Sequence, residues 1–210
     1  MSNAAEANSE AVVSAKAQDV LEAAHKLFMA KGYEAASMDA VAKAAGVSKA
    51  TVYAHFNSKD ELFAAIVTRI CGQLTRDIKA VIEAGLPLRQ ALLGIGERFL
   101  EVLTDPKRVR MFRMVMGQVD RFPELGRVFY RSGPLVMQDC LAGYLEQAAA
   151  AGGLAIPDAG QAARQFLSLV KADLHLRCLF EIGLVIPASE RERQATAAVD
   201  LFLKAYGARP

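Results

Sequence analysis

Apolar positions along this chain recur at the three-to-four-residue spacing of helices, and nowhere alternate for long enough to mark a strand. The pattern predicts an all-α protein. From about Ser14 to Lys31, the residues Val20, Leu21, Ala24, Leu27 and Phe28 form one buried stripe, and Gly32 follows as a stop. Met38, Val41, Ala42 and Ala45 form the next stripe. Ser37 precedes it as an N-cap, Asp39 adds negative charge to its first turn, and Gly46 stands where a left-handed terminal residue is expected. Val47 looks inward and Ser48 is a second N-cap. The helix that follows, Lys49 to Phe56, buries Val52 and Phe56 and leaves Lys49, Thr51, Tyr53 and His55 on its other side. Two short helices joined by so tight a turn make a helix-turn-helix, whose second helix reads the DNA major groove.

Further along, Ser58-Lys59-Asp60-Glu61 reads as a capping box that opens a long helix, stopped by Gly85 and Pro87. Its far half would have nothing to cover in a small domain, so it reads as a strut. Helices are then predicted from Leu88 to Leu103 and from Asp105-Pro106 to about Val119, the latter with proline at its first position. Another runs from Phe122-Pro123-Glu124 to near Gly152-Gly153, kinked or broken at Ser132-Gly133-Pro134. Capping boxes at Asp158/Gln161 and Ser189/Glu192 start helices reaching about Gly183 and Tyr206. About nine helices result. They divide into a disordered arm (1–13), a three-helix DNA-binding domain (14–62) and a larger helical effector-binding and dimerisation domain (63–210).

Composition changes this picture little. The chain has 210 residues, 53% of them apolar, enough for a substantial core. A net charge of +2 does not by itself argue for nucleic acid. Within Ser37 to Lys59, however, Lys43, Lys49 and Lys59 are offset only by Asp39, so phosphate attraction is local. Cys71, Cys140 and Cys178 are widely spaced among apolar neighbours and read as inert thiols. No metal cluster or cofactor motif is present. No signal peptide opens the chain, and no apolar run reaches the roughly 18 residues that span a bilayer, so a cytoplasmic protein without membrane contact is expected.

The run A-x-x-A-G-V-S-K-A-T-V-Y-x-H-F-x-S-K-D-E-L resembles the operator-reading domain of TetR-type transcriptional repressors. The match extends back through Phe28, Lys31, Gly32 and Tyr33 and forward to Phe63. Ala50 departs from the glycine often found there. By this resemblance Lys49, Ala50, Thr51, Tyr53, His55 and Lys59 lie on DNA-facing positions; Ser37 and Ser48 either join them or serve only as caps. The segment Phe112-Arg113 to Phe122-Pro123-Glu124-Leu125, with Phe129-Tyr130 and Gly133-Pro134, looks like the C-terminal domain of the AefR-like branch of that family, which implies an all-α effector-and-dimer domain.

Two further sets of residues follow. Phe99, Met111, Phe112, Met114, Val115, Tyr130, Leu135, Phe166 and Leu169 are more apolar mass than a thin helical layer needs. They are either a plain packed core, the more common role for any one of them, or linings for a mostly apolar effector, with Arg113 and Asp173 placed to orient a head group unless Asp173 pairs with Arg177 four residues on. The last two long helices are apolar on more than one side. Phe166, Val170, Leu174, Leu179, Val199, Phe202 and Tyr206 are therefore candidates for a two-fold homodimer interface, the alternative being burial inside a single chain. His175 and Cys178 are helical neighbours, but no orienting third group or oxyanion loop accompanies them, so no enzyme is expected. The expected function is a homodimeric repressor of transcription, released from a palindromic double-stranded operator by a small molecule. The alternative is a constitutive dimeric DNA-binding protein without an effector.

Overall fold

The computed structural model describes residues 2–182 and 185–208, with side chains from residue 15 onward except at positions 71 and 73. Its helices are α1 (Ser2–Ala35), α2 (Met38–Ala45), α3 (Lys49–His55), α4 (Lys59–Glu83), α5 (Leu88–Thr104), α6 (Pro106–Met116), α7 (Pro123–Ser132), α8 (Pro134–Ala150), α9 (Ala159–Lys171), α10 (Leu174–Leu179) and α11 (Ala188–Tyr206). Among the described residues the only β-type pairing is one bridge, Leu154 with Gly207. The all-α expectation holds. Helical backbone also extends to Ser2, across the stretch the sequence pattern reads as a disordered arm, where alanine and glutamate favour helix. Gly32 interrupts α1 with φ 80° and ψ 167°, at the position expected to end it.

Two predicted helices are divided. The helix after Phe122 breaks outright at Gly133, because Pro134 takes the first position of α8 and supplies no N–H to the preceding turn. The helix after Asp158 stops at Lys171. There Ala172 adopts φ 41°, an unfavourable conformation for a residue bearing a Cβ. Long-range hydrogen bonds hold that break. Gln194 Nε2 donates to the Leu169 carbonyl (2.8 Å), and His175 Nδ1 lies 2.8 Å from the Leu103 carbonyl. Of the capping boxes, Ser58 and Asp158 accept from the backbone N–H three residues on, at 3.0 and 2.8 Å. The box at Ser189 is displaced: α11 starts at Ala188 after Pro187, without a side-chain cap.

The chain forms two compact units. One comprises residues 1–69 with 114–129; the other comprises 70–113 with 130–210. In the first, Phe28, Tyr33, Phe63 and Phe122 meet edge-on or tilted at 5.5–6.1 Å between ring centres. Arg121 also pairs with Glu34, so residues 114–129 join the DNA-reading helices, although the sequence pattern assigns them to the larger domain. In the second unit α5 packs against α9 and α11, and α8 against α9. Ile95, Leu100, Phe166, Val170, Val199 and Phe202 fill its interior.

Candidate nucleic-acid interface

Local chemistry builds the turn between α2 and α3. Ser37 Oγ accepts from Ala40 N (3.1 Å), and Ser48 Oγ accepts from Thr51 N (3.1 Å) while lying 2.8 Å from Thr51 Oγ1. Both serines therefore spend their oxygens on the helices they start. Gly46 closes α2 at φ 67°, ψ 27°, donating to the Ala42 and Lys43 carbonyls. Nothing lies within 4 Å of where a Cβ would stand at Gly46, so the penalty for alanine there is backbone strain alone. Gly46→Ala is expected to lower stability by about 1 kcal/mol without changing the denaturant m-value, as measured by urea unfolding.

Val52 and Phe56 anchor α3 inward, which fixes the opposite face outward. On that face Lys49, Ala50 and Tyr53 are exposed; Thr51 and His55 are half-buried. Lys49 Nζ lies 2.7 Å from Asp39 Oδ1 and 5.9 Å from the centre of the Tyr53 ring. Its hydrogen bond to Asp39 raises the ammonium pKa, so it stays charged at any working pH. A cation, hydroxyls and an imidazole on one solvent-facing helix are the donors that phosphates and base edges accept.

Lys59 is used differently. Its Nζ donates to the carbonyls of Tyr33 (2.9 Å) and Glu34 (3.3 Å) and sits 4.3 Å over the Tyr33 ring. Burial lowers its pKa. The ammonium predicted to reach phosphate is committed to tying α4 to the end of α1. Sequence spacing carries no sign of this, because the partners lie 25 and 26 residues away.

The residues proposed for an effector are divided between the two units. Met114 and Val115 belong to the DNA-reading unit. In the other unit Phe166 and Met111 are buried, Phe99 and Phe112 half-buried, and Tyr130, Leu135 and Asp173 exposed. Arg113 is not poised for a head group. Its Nε and Nη2 donate to the carbonyls of Leu179 (2.8 Å) and Cys178 (2.5 Å), and Nη1 meets Glu181 at 2.6 Å. It caps the C-terminal end of α10, a role the sequence conceals. Phe112 meets His175, ring centres 4.7 Å apart. Burial pushes the Cys178 thiol up, away from the thiolate that nucleophilic chemistry would need.

Most of the residues expected at a dimer interface lie in the interior of the single chain. Phe166, Val170, Leu174, Val199 and Phe202 are core residues of a single chain, and Leu179 and Tyr206 are half-buried. An all-round apolar helix is covered first by its own neighbours. The same two helices also leave a stripe open, to which the candidates Phe202 and Tyr206 contribute. A groove of about 760 Å³ runs between α9 and α11, lined by Arg164, Gln165, Ser168, Leu169, Leu201 and Tyr206 among others.

Comparison with known proteins decides the assignment. Residues 20–66 match the model for bacterial regulatory proteins of the tetR family, and residues 90–208 match the AefR-like transcriptional repressor C-terminal domain. The chain belongs to the TetR family. It is a DNA-binding transcriptional regulator, as that family is. The structure of a TetR-family regulator from Mesorhizobium loti covers 93% of this chain and 98% of its own, at 29% identity and TM-score 0.81. The flavonoid-responsive regulator FrrA matches 94% of this chain and all of its own, at 40% identity and TM-score 0.80. The transcriptional activator FasR of Mycolicibacterium smegmatis is 37% identical over 84 residues, which are 40% of this chain and 38% of FasR. The chain thus spans well under half the length of that curated relative. Among the described residues of this TetR-family chain, no helix is long and apolar enough to cross a membrane, and no His, Cys, Asp and Glu cluster suits a metal ion.

Proposed function

We propose that this chain represses transcription as a homodimer and leaves a near-palindromic operator when a small, mostly apolar molecule binds its larger unit. The observation that carries the reading is the α3 face: Lys49, Ala50 and Tyr53 stand in solvent on a helix whose caps and buried residues leave it no other orientation. A second copy laid along the α9–α11 groove would present a second α3. Two-fold symmetry then demands half-sites about one helical turn apart, or a multiple of it. Selection of bound sequences from a random DNA library should return an inverted repeat at that spacing. A single asymmetric site bound by a monomer would overturn the dimer.

For the effector, support comes from chain connectivity and from a relative. Helix α6 carries Phe112 and Arg113 in one unit, and its continuation from Met114 belongs to the DNA-reading unit. A ligand that displaces α6 acts on a segment both units share, so two arrangements of α6 would differ in operator affinity. The similar FrrA is described as flavonoid-responsive. Flavonoids are flat, polyphenolic and largely apolar, the class of molecule this reading calls for. A saturating ligand that stabilises the protein should weaken operator binding; unchanged operator affinity would remove the effector from the mechanism.

A further inference from the structure

His175 is a titratable group set where apolar ones are the rule. It sits on α10 between buried Leu174 and buried Cys178, with 7% of its own surface exposed. Its Nδ1 faces the Leu103 carbonyl at 2.8 Å. A carbonyl only accepts, so Nδ1 carries the hydrogen. Burial holds the imidazole below its usual pKa, so the ring is neutral and Nε2 bears a lone pair. That Nε2 is buried and has no hydrogen-bond partner among the described residues. Two donors of the same unit, on α5 and α6, are spent elsewhere. Thr104 gives its hydroxyl to the Leu100 carbonyl (2.7 Å), and Arg113 is turned onto Leu179, Cys178 and Glu181. Buried acceptors are rarely left open in folded proteins, and those that are call for an explanation.

We propose that His175 anchors the effector: Nε2 accepts a hydrogen bond from the hydroxyl of a phenol-type ligand whose ring lies against Phe112. This rests on the effector reading above and names its ligand class. The fixed tautomer asks for a donor. A methyl ether or a ketone offers none, and a carboxylate sets acceptor against acceptor. The aromatic requirement comes from Phe112, whose ring already meets the imidazole at 71° and stays half-buried. Leu179, one turn on from His175, is also half-buried. Arg113 holds α10 from its far end and so keeps the imidazole in place, a positioning role the three hydrogen bonds already describe.

The test uses one skeleton with three head groups: 4-phenylphenol, 4-methoxybiphenyl and biphenyl-4-carboxylate, titrated calorimetrically into the full chain and into His175→Phe. The phenol should bind about tenfold or more tighter than the other two, and His175→Phe should bring it down to the level of the ether. In the unsubstituted protein, the nitrogen-15 signal of Nε2 should move upfield with the phenol and stay put with the ether, a readout that needs no variant. Equal binding of all three head groups, or a phenol preference that survives in His175→Phe with an unmoved Nε2 signal, would overturn the anchor and leave the apolar effector standing. Binding of none of the three would overturn both.

Discussion

Replacing Tyr53 by alanine should cost this regulator its operator and leave its stability almost untouched. The ring is 43% exposed and the α3 core contacts belong to Val52 and Phe56, so unfolding should shift by no more than about 0.5 kcal/mol. In the docking proposed above, the same ring and hydroxyl would meet backbone or base edge. Loss of such a contact is worth roughly 1–3 kcal/mol, or about tenfold to a hundredfold in affinity for one reading helix. In the proposed two-fold dimer the change would enter twice. Lys49→Ala should add a second signature. It removes a phosphate contact, so binding weakens on all sequences alike and the slope of log K against log salt falls by about 1 for each reader. Fluorescence anisotropy on the selected operator over a salt series measures both, with far-UV circular dichroism as the control. Unchanged retention by both variants would mean that α3 does not face the groove.

The reading helix is the part of the molecule most legible in the sequence, because everything that shapes it is local. Ser37, Gly46 and Ser48 act on atoms within four residues of themselves, and their chemistry is visible as spacing. What the sequence concealed is what long-range partners decide. Nothing at Ala172 announces a break; Gln194, 25 residues beyond Leu169, and Leu103, 72 residues before His175, supply the partners that hold it. Arg113 looked like a ligand contact on an apolar stretch, and only the fold shows that the end of α10 lies within its reach. The apolar girth of α9 and α11 shows that they are covered without showing by what. The core of one chain claims Phe166, Val199 and Phe202, while Leu201 and Leu169, less conspicuous in the pattern, line the open groove. Helical spacing shows Cys178 beside His175 on one element, and not the Leu103 carbonyl across from it.

Tyr33→Ala should reverse the Tyr53 result. The Tyr33 ring is 2% exposed and meets Phe28, Phe63 and Phe122, its hydroxyl donates to Asp60, and Lys59 lies over its face. Truncation removes an aromatic from a packed interior, which costs about 3–5 kcal/mol, and takes the hydroxyl from Asp60 and the ring face from Lys59. Operator binding should again be lost, here by unfolding of the reader. An osmolyte that favours burial, such as trimethylamine N-oxide, should therefore restore binding to Tyr33→Ala and not to Tyr53→Ala. The milder Tyr33→Phe isolates the hydroxyl. It should cost about 1 kcal/mol at neutral pH. Burial, reinforced by the bond to Asp60, pushes the Tyr33 phenol above its usual pKa, so folding favours the protonated form. The stability this contributes is complete below the ordinary tyrosine value of about 10 and is lost as pH rises past it. Wild-type stability should thus fall more steeply above pH ~10 than that of Tyr33→Phe, since only the wild type must release this proton on unfolding. Parallel curves for the two proteins through that range would show that the phenol is not held by its surroundings as the geometry requires.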